Sequence, residues 1–362
     1  MKRLDIKVAF ITRSTLYRVP GGDTVQVKET ARHLQNMGIS AEIKLADEDI
    51  DYDRYNLLHF FNLTRPADIL RHSKKAQKPF VISTILCNYS EYDKQYRKGI
   101  SVLFNLMPGD GIEYVKAIAR WLKGNDYLPG PEYLWRGQRN SIIRVLKNSA
   151  MILPNSVSEY ERITQTYSCQ VKYAIVPNGI DTTLFRRDCS VQKDGKMVLC
   201  VARIEGIKNQ LNLIRALNNT HFNLVLIGSH APNQKAYYDE CRRIAAANIT
   251  FVDHIPQAGL VKYYQKAKVH ILPSWFETTG LSSLEAAAMG CNVVITGKGD
   301  AKEYFGNNAW YCDPADPQNI RSAVEQASLS DYNDTLHEAI LKKYTWQQAA
   351  LETYKAYQNI NL

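Results

Sequence analysis

The chain of 362 residues lacks the marks of several common protein classes. It has seven cysteines but no Cys-x-x-Cys pair, which argues against a disulfide framework and a cysteine-based metal site. No run of about 18 apolar residues occurs, so no transmembrane helix is expected. The opening residues, Met1–Thr12, hold too short an apolar core for a signal peptide and are typical of a first strand. We therefore expect a cytoplasmic protein with reduced, mostly buried cysteines and no metal.

The two commonest phosphate-binding fingerprints are also missing. No Gly-x-Gly-x-x-Gly follows the first strand, and no Walker lysine follows the first glycine loop. The loop there reads Pro20-Gly21-Gly22-Asp23-Thr24, in which paired glycines let the backbone approach a ligand. The motif is weak alone, so Gly21 and Gly22 are candidates that depend on their neighbours.

Positive charge is unevenly distributed. Residues 1–182 carry 26 Lys and Arg against 19 Asp and Glu, which is most of the overall net charge of +9. Within them, a stretch of about residues 88–147 mixes aromatic and basic side chains, as do proteins that bind anionic membranes or single-stranded nucleic acid. A solvated basic face, with the aromatic residues of a helical insertion packed inward, is the simpler alternative.

Short apolar runs alternate with helical patterns, and the alternation restarts after residue 182. This order predicts an α/β protein with two doubly wound parallel sheets, in Rossmann-like domains spanning 1–182 and 183–341 that face a shared cleft. Residues 342–362 are predicted to form a C-terminal helix. The predicted strands are Lys7–Ile11, Ala41–Leu45, Leu57–Phe61, Phe80–Leu86, Met151–Pro154, Tyr173–Val176, Met197–Ala202, Phe222–Ile227, Ile249–Val252, Val269–Leu272 and Asn292–Thr296.

The most informative segment runs from Pro273 to Gly290 and follows a strand. It holds two carboxylates eight residues apart, Glu277 and Glu285. If Glu277 lies in the turn that opens a helix, Glu285 lies about two turns along it, roughly 10 Å away. Free N–H groups at the helix start, near Thr279, Gly280 and Leu281, form an anion site. Glutamates at helix starts are common, however, because they offset the helix dipole.

A second candidate segment, Arg203 to Gln210, also follows a strand and opens a helix. Arg203 supplies a planar fork and Lys208 a point charge, and such a cation pair suits a diphosphate. Gly228 ends the next strand. Because ligands of doubly wound sheets bind beyond the carboxyl ends of the strands, these residues and Glu277 are expected on one side of the sheet. The Pro177–Asp181 turn between the halves is best explained as a structural hinge.

Taken together, these segments resemble those of the retaining nucleotide-sugar glycosyltransferases of the two-domain GT-B fold, the family 4-like transferases also called glycosyl transferases group 1. The resemblance covers nearly the whole chain and is more specific in the C-terminal half. It rests on Gly21-Gly22, the Pro177–Asp181 turn with Phe185, Arg203 with Lys208, Glu277 with Glu285 and Gly290, and Glu303.

The resemblance implies a role for each position. Arg203 and Lys208 hold the diphosphate and stabilise its charge as it leaves. Glu277 contacts the donor sugar and Glu285 the ribose hydroxyls. Amides near Thr279, Gly280 and Leu281 assist with sugar or phosphate. Gly21, Gly22 and Gly228 belong to the donor-binding loops. The family generally needs no metal, so the nucleotide-diphosphate sugar is expected as a substrate with no cofactor.

One departure from the family pattern stands after the strand Phe80–Leu86. Many relatives place a histidine there, often followed by aspartate, whereas this chain reads Cys87-Asn88-Tyr89-Ser90-Glu91. Asn88 and Glu91 are therefore acceptor-side candidates. His59 is another, although a lone histidine in a strand is more often structural.

The function that follows is retaining sugar transfer to a glycan or lipid-linked acceptor, in the synthesis of cell-surface polysaccharide or lipopolysaccharide. The basic, aromatic stretch then suggests peripheral contact with the inner membrane face, with no nucleic acid expected. Two alternatives stay open at this point. One is an epimerase or hydrolase of the same fold that acts on nucleotide sugars without an acceptor. The other is a non-catalytic basic protein that binds polysaccharide or nucleic acid.

Overall fold

A computed structural model describes residues 6–96, 109–122, 130–332 and 334–360. It divides into two compact units. Unit 1 comprises Met1–Leu86, Asp93–Asn178 and Trp346–Leu362, and unit 2 comprises Gly179–Thr345 together with the short segment Cys87–Tyr92. The predicted first domain, residues 1–182, had included this short segment.

Unit 1 is built on a five-stranded parallel sheet with the order β2-β1-β3-β4-β5. Strands β3, β4 and β5 and all of β1 except Lys7 are buried, because both faces of a doubly wound sheet are covered by helices, while the edge strand β2 is only partly buried. Its strands and helices are, in chain order, β1 Lys7–Thr12, α1 Gly22–Asn36, β2 Ser40–Leu45, β3 Leu57–Phe61, α2 Pro66–Ala76, β4 Phe80–Ser83, α3 Gly109–Leu122, α4 Pro131–Asn148, β5 Met151–Leu153, α5 Val157–Tyr167 and the C-terminal α13 Trp346–Gln358.

Two strand predictions in this unit were wrong in extent. The run Tyr173–Val176 makes backbone hydrogen bonds to β5 but only one bridge, at Tyr173, and Pro177 ends it by having no N–H to donate. The strand predicted over Phe80–Leu86 stops at Ser83. It stops because Ile85 takes a positive φ of 46°, which does not continue an extended strand. The backbone that follows is held by a side chain from helix α5.

That side chain is the carboxylate of Glu159, which is fully buried at the start of α5. It accepts hydrogen bonds from the Thr84 hydroxyl at 2.6 Å, from the Leu86 N–H at 2.6 Å and from the Asn155 N–H at 2.8 Å. The carboxylate therefore fixes the direction in which the chain leaves β4. Nothing in the sequence pattern around Glu159 indicated this role.

Unit 2 carries a six-stranded parallel sheet with the order β11-β10-β9-β6-β7-β8. Its strands and helices are β6 Asp194–Val201, α6 Gln210–Leu217, β7 Asn223–Ile227, α7 Lys235–Ile244, β8 Ile249–Val252, α8 Gln257–Lys266, β9 Ala267–Leu272, α9 Leu281–Ala288, β10 Asn292–Thr296, α10 Ala301–Phe305, β11 Trp310–Cys312, α11 Pro317–Leu329 and α12 Asp334–Lys343. The edge strand β11 and the helices α10 and α12 were not predicted, since each is short or weakly periodic.

The strand order of unit 2 places a topological switch point between β6 and β9. The chain runs outward from β6 through β7 to β8, then returns to pair β9 on the other side of β6. In such sheets the loops that leave the two central strands diverge to opposite faces and open a crevice, where ligands bind. The loops after β6 and β9 are those that carry Lys208 and Glu277.

The C-terminal helix and the insertion complete unit 1. Helix α13 packs against α1 and buries Tyr357, so the C-terminal stretch returns to the N-terminal unit. The predicted insertion contains α3 and most of α4, while residues 97–108 and 123–129 of it lie outside the described residues. Across the described ranges, no helix has the length and apolar character needed to cross a membrane.

Candidate functional site

The candidate site is formed by the two loops at the switch point of unit 2. The first continues from β6 into a short 3-10 turn, Gly206–Lys208, and the second follows β9. They are joined by a backbone hydrogen bond of 3.0 Å from the Trp275 N–H to the Ile207 carbonyl. Asn209, with a φ of 60°, donates its side-chain amide to the Pro273 carbonyl at 3.1 Å. These bonds hold the loops at a fixed spacing.

Lys208 and Glu277 meet across this junction. The Lys208 Nζ lies 2.5 Å from Glu277 Oε1, and Glu277 is 7% exposed. Burial disfavours the lysine cation, but the adjacent Glu277 carboxylate outweighs this and leaves the pKa of Lys208 above its usual value. Lys208 is therefore a permanent cation next to a carboxylate.

The backbone of Glu277 is held by a third loop, which follows β10. Its N–H donates to the Lys298 carbonyl at 3.1 Å, and its carbonyl accepts from the Asp300 N–H at 2.8 Å. Gly299 lies between them with a φ of 104°, and a side chain there would overlap the Glu277 carbonyl. Three loops from adjacent strands thus fix one carboxylate.

Gly280 starts helix α9 in the left-handed conformation, with φ 73° and ψ 62°. Any other residue would be strained there, and its Cβ would press on the Ile295 side chain. The first N–H groups of a helix lack intrahelical acceptors, so those at Leu281 and Ser282 are placed to bind an anion or a hydroxyl. Thr279, directly before the turn, is buried.

Glu285 lies on α9 and is 7% exposed. It accepts hydrogen bonds from the Tyr264 hydroxyl at 2.9 Å and from the Gln257 side-chain amide at 2.8 Å. Burial raises the pKa of Glu285 to about 7, and these two hydrogen bonds only partly oppose the effect. A carboxylate has about four acceptor positions, so two donors leave room for hydroxyl groups of a ligand.

Arg203 lies in the first loop, and Gly228 follows the neighbouring strand β7. The Arg203 guanidinium is 38% exposed and lies 3.0 Å from the Glu205 carboxylate. Gly228, with a φ of 146°, packs so closely on the Ala202 carbonyl that a side chain would overlap it. Gly228 is therefore required by close backbone packing. It supports the end of the strand that leads to Arg203.

The segment Cys87–Tyr92 belongs to unit 2 and lies against the same loops. Glu91 pairs with Lys298 at 2.5 Å, while Asn88 is exposed and accepts hydrogen bonds from Ser90 in a local turn. The Tyr89 and Phe276 rings lie 6.2 Å apart, as do those of Tyr92 and Trp275. Asn88 and Glu91 were predicted from the sequence as candidates here, whereas no role at the site was predicted for the two tyrosines.

The predicted acceptor-side residue of unit 1, His59, is held in a structural network. Both ring nitrogens of buried His59 are occupied, by the Tyr357 hydroxyl at 2.7 Å and the Ser83 hydroxyl at 2.9 Å. Burial lowers the pKa of His59 to about 3, so it stays neutral. We therefore assign His59 to the core of unit 1 and withdraw it as an acceptor-side candidate, because neither nitrogen faces a ligand.

Gly21 and Gly22 lie at the start of α1. The Gly21 N–H donates to the Thr24 hydroxyl at 3.1 Å, and the preceding loop is closed by a salt bridge of 2.6 Å between Arg13 and Asp23. Gly21 has an extended backbone, with a φ of −155°, so its conformation does not by itself require glycine.

Several residues of the candidate site were not found from the sequence. They are Tyr264 and Gln257, which hold Glu285, and Gly299, which holds Glu277. Their only sequence signal is position, since Gly299 follows a predicted strand, Tyr264 lies in the helix predicted over Gly259–Ala267, and Gln257 stands just before that helix. In the described part of the chain, no group of three or more His, Cys, Asp and Glu side chains is placed to hold a metal ion.

The family model found by comparison with known proteins matches the C-terminal part of the chain. Residues 181–345, nearly all of the main part of unit 2, match the family model described as glycosyl transferases group 1. One similar relative is an uncharacterized glycosyltransferase of Methanocaldococcus jannaschii, 30% identical over 188 residues, which are 48% of this chain and 47% of the relative. In sequence, the chain spans about half the length of the curated relatives that it matches.

Solved structures resemble the chain over almost its full length. Sucrose-phosphate synthase of Thermosynechococcus elongatus matches with a TM-score of 0.74 and 16% identity, covering 98% of each chain. HepE of Anabaena, in complex with UDP, matches with a TM-score of 0.68 and 14% identity, covering 98% of this chain and 100% of the other. At such identities the likeness shows the fold. This chain thus has the GT-B fold, and its residues 181–345 match the family model of the group 1 glycosyl transferases.

Proposed function

We propose that the protein is a retaining glycosyltransferase of the family 4 type, which transfers a sugar from a nucleotide-diphosphate donor to a glycan or lipid-linked glycan. The observation that carries the proposal is the meeting of the Lys208 cation and the Glu277 carboxylate, 2.5 Å apart, at the switch point of unit 2. The family match of this unit supports the same conclusion.

The pairing of opposite charges suggests how the donor lies. A phosphate group is attracted to Lys208 and repelled by Glu277, whereas a sugar hydroxyl can donate a hydrogen bond to Glu277. The junction therefore suits the bond that joins the terminal phosphate to the sugar. Glu285, further along α9, suits the ribose hydroxyls at the other end of the donor.

In this proposal, electrostatic stabilisation of the leaving diphosphate carries the catalysis. As the bond between sugar and phosphate breaks, negative charge grows on the phosphate oxygens. Lys208, Arg203 and the N–H groups at Leu281 and Ser282 are fixed cations and dipoles at that place, so they need little reorganisation. Lys208 is kept charged by Glu277, as the raised pKa of the lysine indicates.

Retention is proposed to occur by attack on the face that the diphosphate leaves. The acceptor oxygen forms the new bond to the anomeric carbon, the old bond to phosphate oxygen breaks, and that phosphate oxygen takes the acceptor's proton. This scheme needs no nucleophilic side chain. It is compatible with the core position of His59, since no imidazole base is required.

Donor binding is tested first by thermal shift with UDP-, GDP-, ADP- and TDP-sugars. A ligand that binds only the folded chain raises its stability by about 2.7 kcal/mol at 100 times its Kd. HepE has been solved with UDP, so UDP-sugars are the first to test. We expect one nucleotide class to raise the Tm clearly, and the proposal fails if none does.

Transfer is tested with the selected donor, with and without a panel of glycan acceptors. We expect release of the nucleotide diphosphate to depend on acceptor, and the anomeric proton of the product to show the donor's configuration by NMR. Full turnover without acceptor would contradict the proposal and indicate an epimerase or hydrolase. Salt-sensitive binding to RNA or DNA, with no binding of nucleotide sugar, would indicate a binding protein instead.

A lipid-linked acceptor, from the pathways that build cell-surface polysaccharide or lipopolysaccharide, is proposed from two helices of unit 1. Helices α3 and α4 contact each other through the stacked rings of Tyr114 and Tyr133, 5.4 Å apart. They expose large apolar side chains, above all Trp135, which is 92% exposed, and Leu122. Exposed tryptophan beside arginine is typical of proteins that rest on anionic membranes, so we propose peripheral attachment through this pair of helices.

A further inference from the structure

The segment Cys87–Tyr92 leaves unit 1 for six residues. The chain departs after Leu86, whose N–H is held by Glu159, and rejoins unit 1 at Asp93, which pairs with Lys116 at 2.6 Å. The first end is thus held by a buried carboxylate of unit 1, and the second is itself a buried carboxylate paired with a lysine of unit 1. Between them, Tyr89, Glu91 and Tyr92 contact loops of the main part of unit 2.

The contact at Tyr92 is the tightest. Its ring lies 6.2 Å from that of Trp275, and its hydroxyl rests against the Cα of Gly206. A methyl group added at Gly206 would overlap the Tyr92 hydroxyl and ring, and the three atoms nearest to it all belong to Tyr92. The φ of Gly206 lies outside the left-handed region, so Tyr92 is the obstacle to a side chain there.

The contact at Glu91 reaches the other two loops. Its carboxylate pairs with Lys298 at 2.5 Å, and the Lys298 Nζ lies 5.6 Å from the centre of the Trp275 ring. The carbonyl of Lys298 is the acceptor for the Glu277 N–H. The ion pair is therefore made by the same residue whose backbone carbonyl holds the Glu277 backbone.

The contact at Tyr89 completes the set. Its ring lies edge-on to that of Phe276, 6.2 Å away. Burial, then the nearby Cys87 and Glu277, raise the pKa of Tyr89 far above its usual value, so the phenol keeps its proton beside Glu277. Three side chains of the segment thus touch the 206–208 turn, the 273–280 loop and the 297–300 loop.

We propose that Cys87–Tyr92 is a positioning element for the donor, which holds these three loops so that Lys208 and Glu277 meet the bond between phosphate and sugar. This inference rests on the proposed function. It assigns donor affinity to residues outside the main part of unit 2, with Tyr92 as the principal contact and Glu91 as the second.

The test is a double-mutant cycle on Tyr92 and Gly206. We expect Gly206→Ala to raise the KM and Kd for the donor at least tenfold, with kcat changed less than threefold, because the new methyl group displaces Tyr92. Tyr92→Ala should have a similar effect. The double variant should be no weaker than Tyr92→Ala alone, since contacting residues couple. Tyr92→Phe, which keeps the ring on Trp275, should bind the donor as the wild type does.

The matched control is Tyr173→Ala. Like Tyr92, Tyr173 packs its ring on one aromatic neighbour, that of Tyr160 at 3.7 Å, but it is exposed and lies in unit 1. Its loss should leave the KM for the donor unchanged. A Gly206→Ala variant with wild-type KM, additive effects in the double variant, or tighter binding by Tyr92→Ala would each overturn the inference. If the wild type itself binds no nucleotide sugar, the proposed function has failed instead.

Discussion

The two units share an architecture but differ in what they place beyond their strands. Both are parallel sheets with buried strands and helices on their faces. In unit 2, the loops after β6, β9 and β10 converge on a lysine–carboxylate pair, and a second buried carboxylate follows on α9. In unit 1, the candidate His59 is held by two hydroxyls, and the loop before the candidates Gly21 and Gly22 is closed by the salt bridge between Arg13 and Asp23.

The units also differ in what their buried carboxylates do: Glu159 of unit 1 holds the chain where it leaves β4, whereas Glu277 and Glu285 of unit 2 form the proposed ligand site. Keeping Glu277 and Glu285 buried is costly, and the structure compensates with a lysine for one and two hydrogen-bond donors for the other. His59 of unit 1 is buried in its neutral form, which costs less free energy than the burial of a charged group. Substitutions of site residues in unit 2 should therefore affect ligand binding, and those of the candidate residues in unit 1 should affect stability or membrane attachment.

The largest effect is expected for Lys208→Ala. It removes the cation at the leaving phosphate, so kcat/KM for transfer should fall at least about 100-fold, or about 3 kcal/mol. It also leaves Glu277 buried without its partner, so the Tm should fall. Lys235→Ala is the matched control, because Lys235 forms an exposed ion pair with Asp239 at 2.9 Å. If Lys208→Ala transferred sugar at the wild-type rate, Lys208 would not be the cation at the leaving phosphate. The proposed difference between the two units would then be wrong.

Glu285→Gln should separate binding from stability. Donor affinity should fall about tenfold, since a neutral amide accepts ribose hydroxyls less well than a carboxylate. The same substitution should raise the stability of the protein relative to the wild type as the pH rises. Between pH 4.5 and about 7 the folded wild type keeps a proton that the unfolded chain releases, so its stability falls as the pH rises through that window.

The size of this effect follows from the shifted pKa. Glu285→Gln should be more stable than the wild type by up to about 3 kcal/mol at pH 8, relative to the same comparison below pH 4.5. Urea unfolding at pH 8 and below pH 4.5 measures the difference. An equal response of both proteins to pH would show that Glu285 is not the buried carboxylate described.

His59→Ala tests whether the histidine of unit 1 has a structural role. The variant leaves the buried Tyr357 hydroxyl without its partner and opens a cavity, so the free energy of unfolding should fall by about 2 kcal/mol or more. The KM for the donor and kcat of the folded fraction should not change. A loss of transfer with unchanged stability would restore His59 as a site residue.

The smallest effect is expected for Trp135→Ala. Transfer to a water-soluble acceptor and the Tm should be unchanged, because the side chain is almost fully exposed. Binding to vesicles that contain anionic lipid should weaken several-fold, as measured by sedimentation. Leu329→Ala is the control, since Leu329 is as exposed but lies on α11 of unit 2. Equal vesicle binding by Trp135→Ala and the wild type would contradict the membrane proposal.

The sequence predicted the parallel α/β architecture because apolar runs and helical periods alternate regularly, and it placed Lys208 and Glu277 beyond strand ends correctly. It could not show that their side chains meet, since that depends on strand order, which puts β9 beside β6. It also missed Glu159 and the path of Cys87–Tyr92. Both depend on tertiary contacts between distant residues, such as that of Tyr92 with Gly206, which leave no local pattern.

The central claim is that Glu277 faces the donor sugar while Lys208 faces the phosphate. Calorimetric titration of Glu277→Gln with UDP and with the UDP-sugar that the thermal-shift screen selects tests it directly. The claim predicts that the variant binds UDP at least as tightly as the wild type but loses about tenfold in affinity for the UDP-sugar. Equal loss for both ligands, or loss for neither, would contradict it.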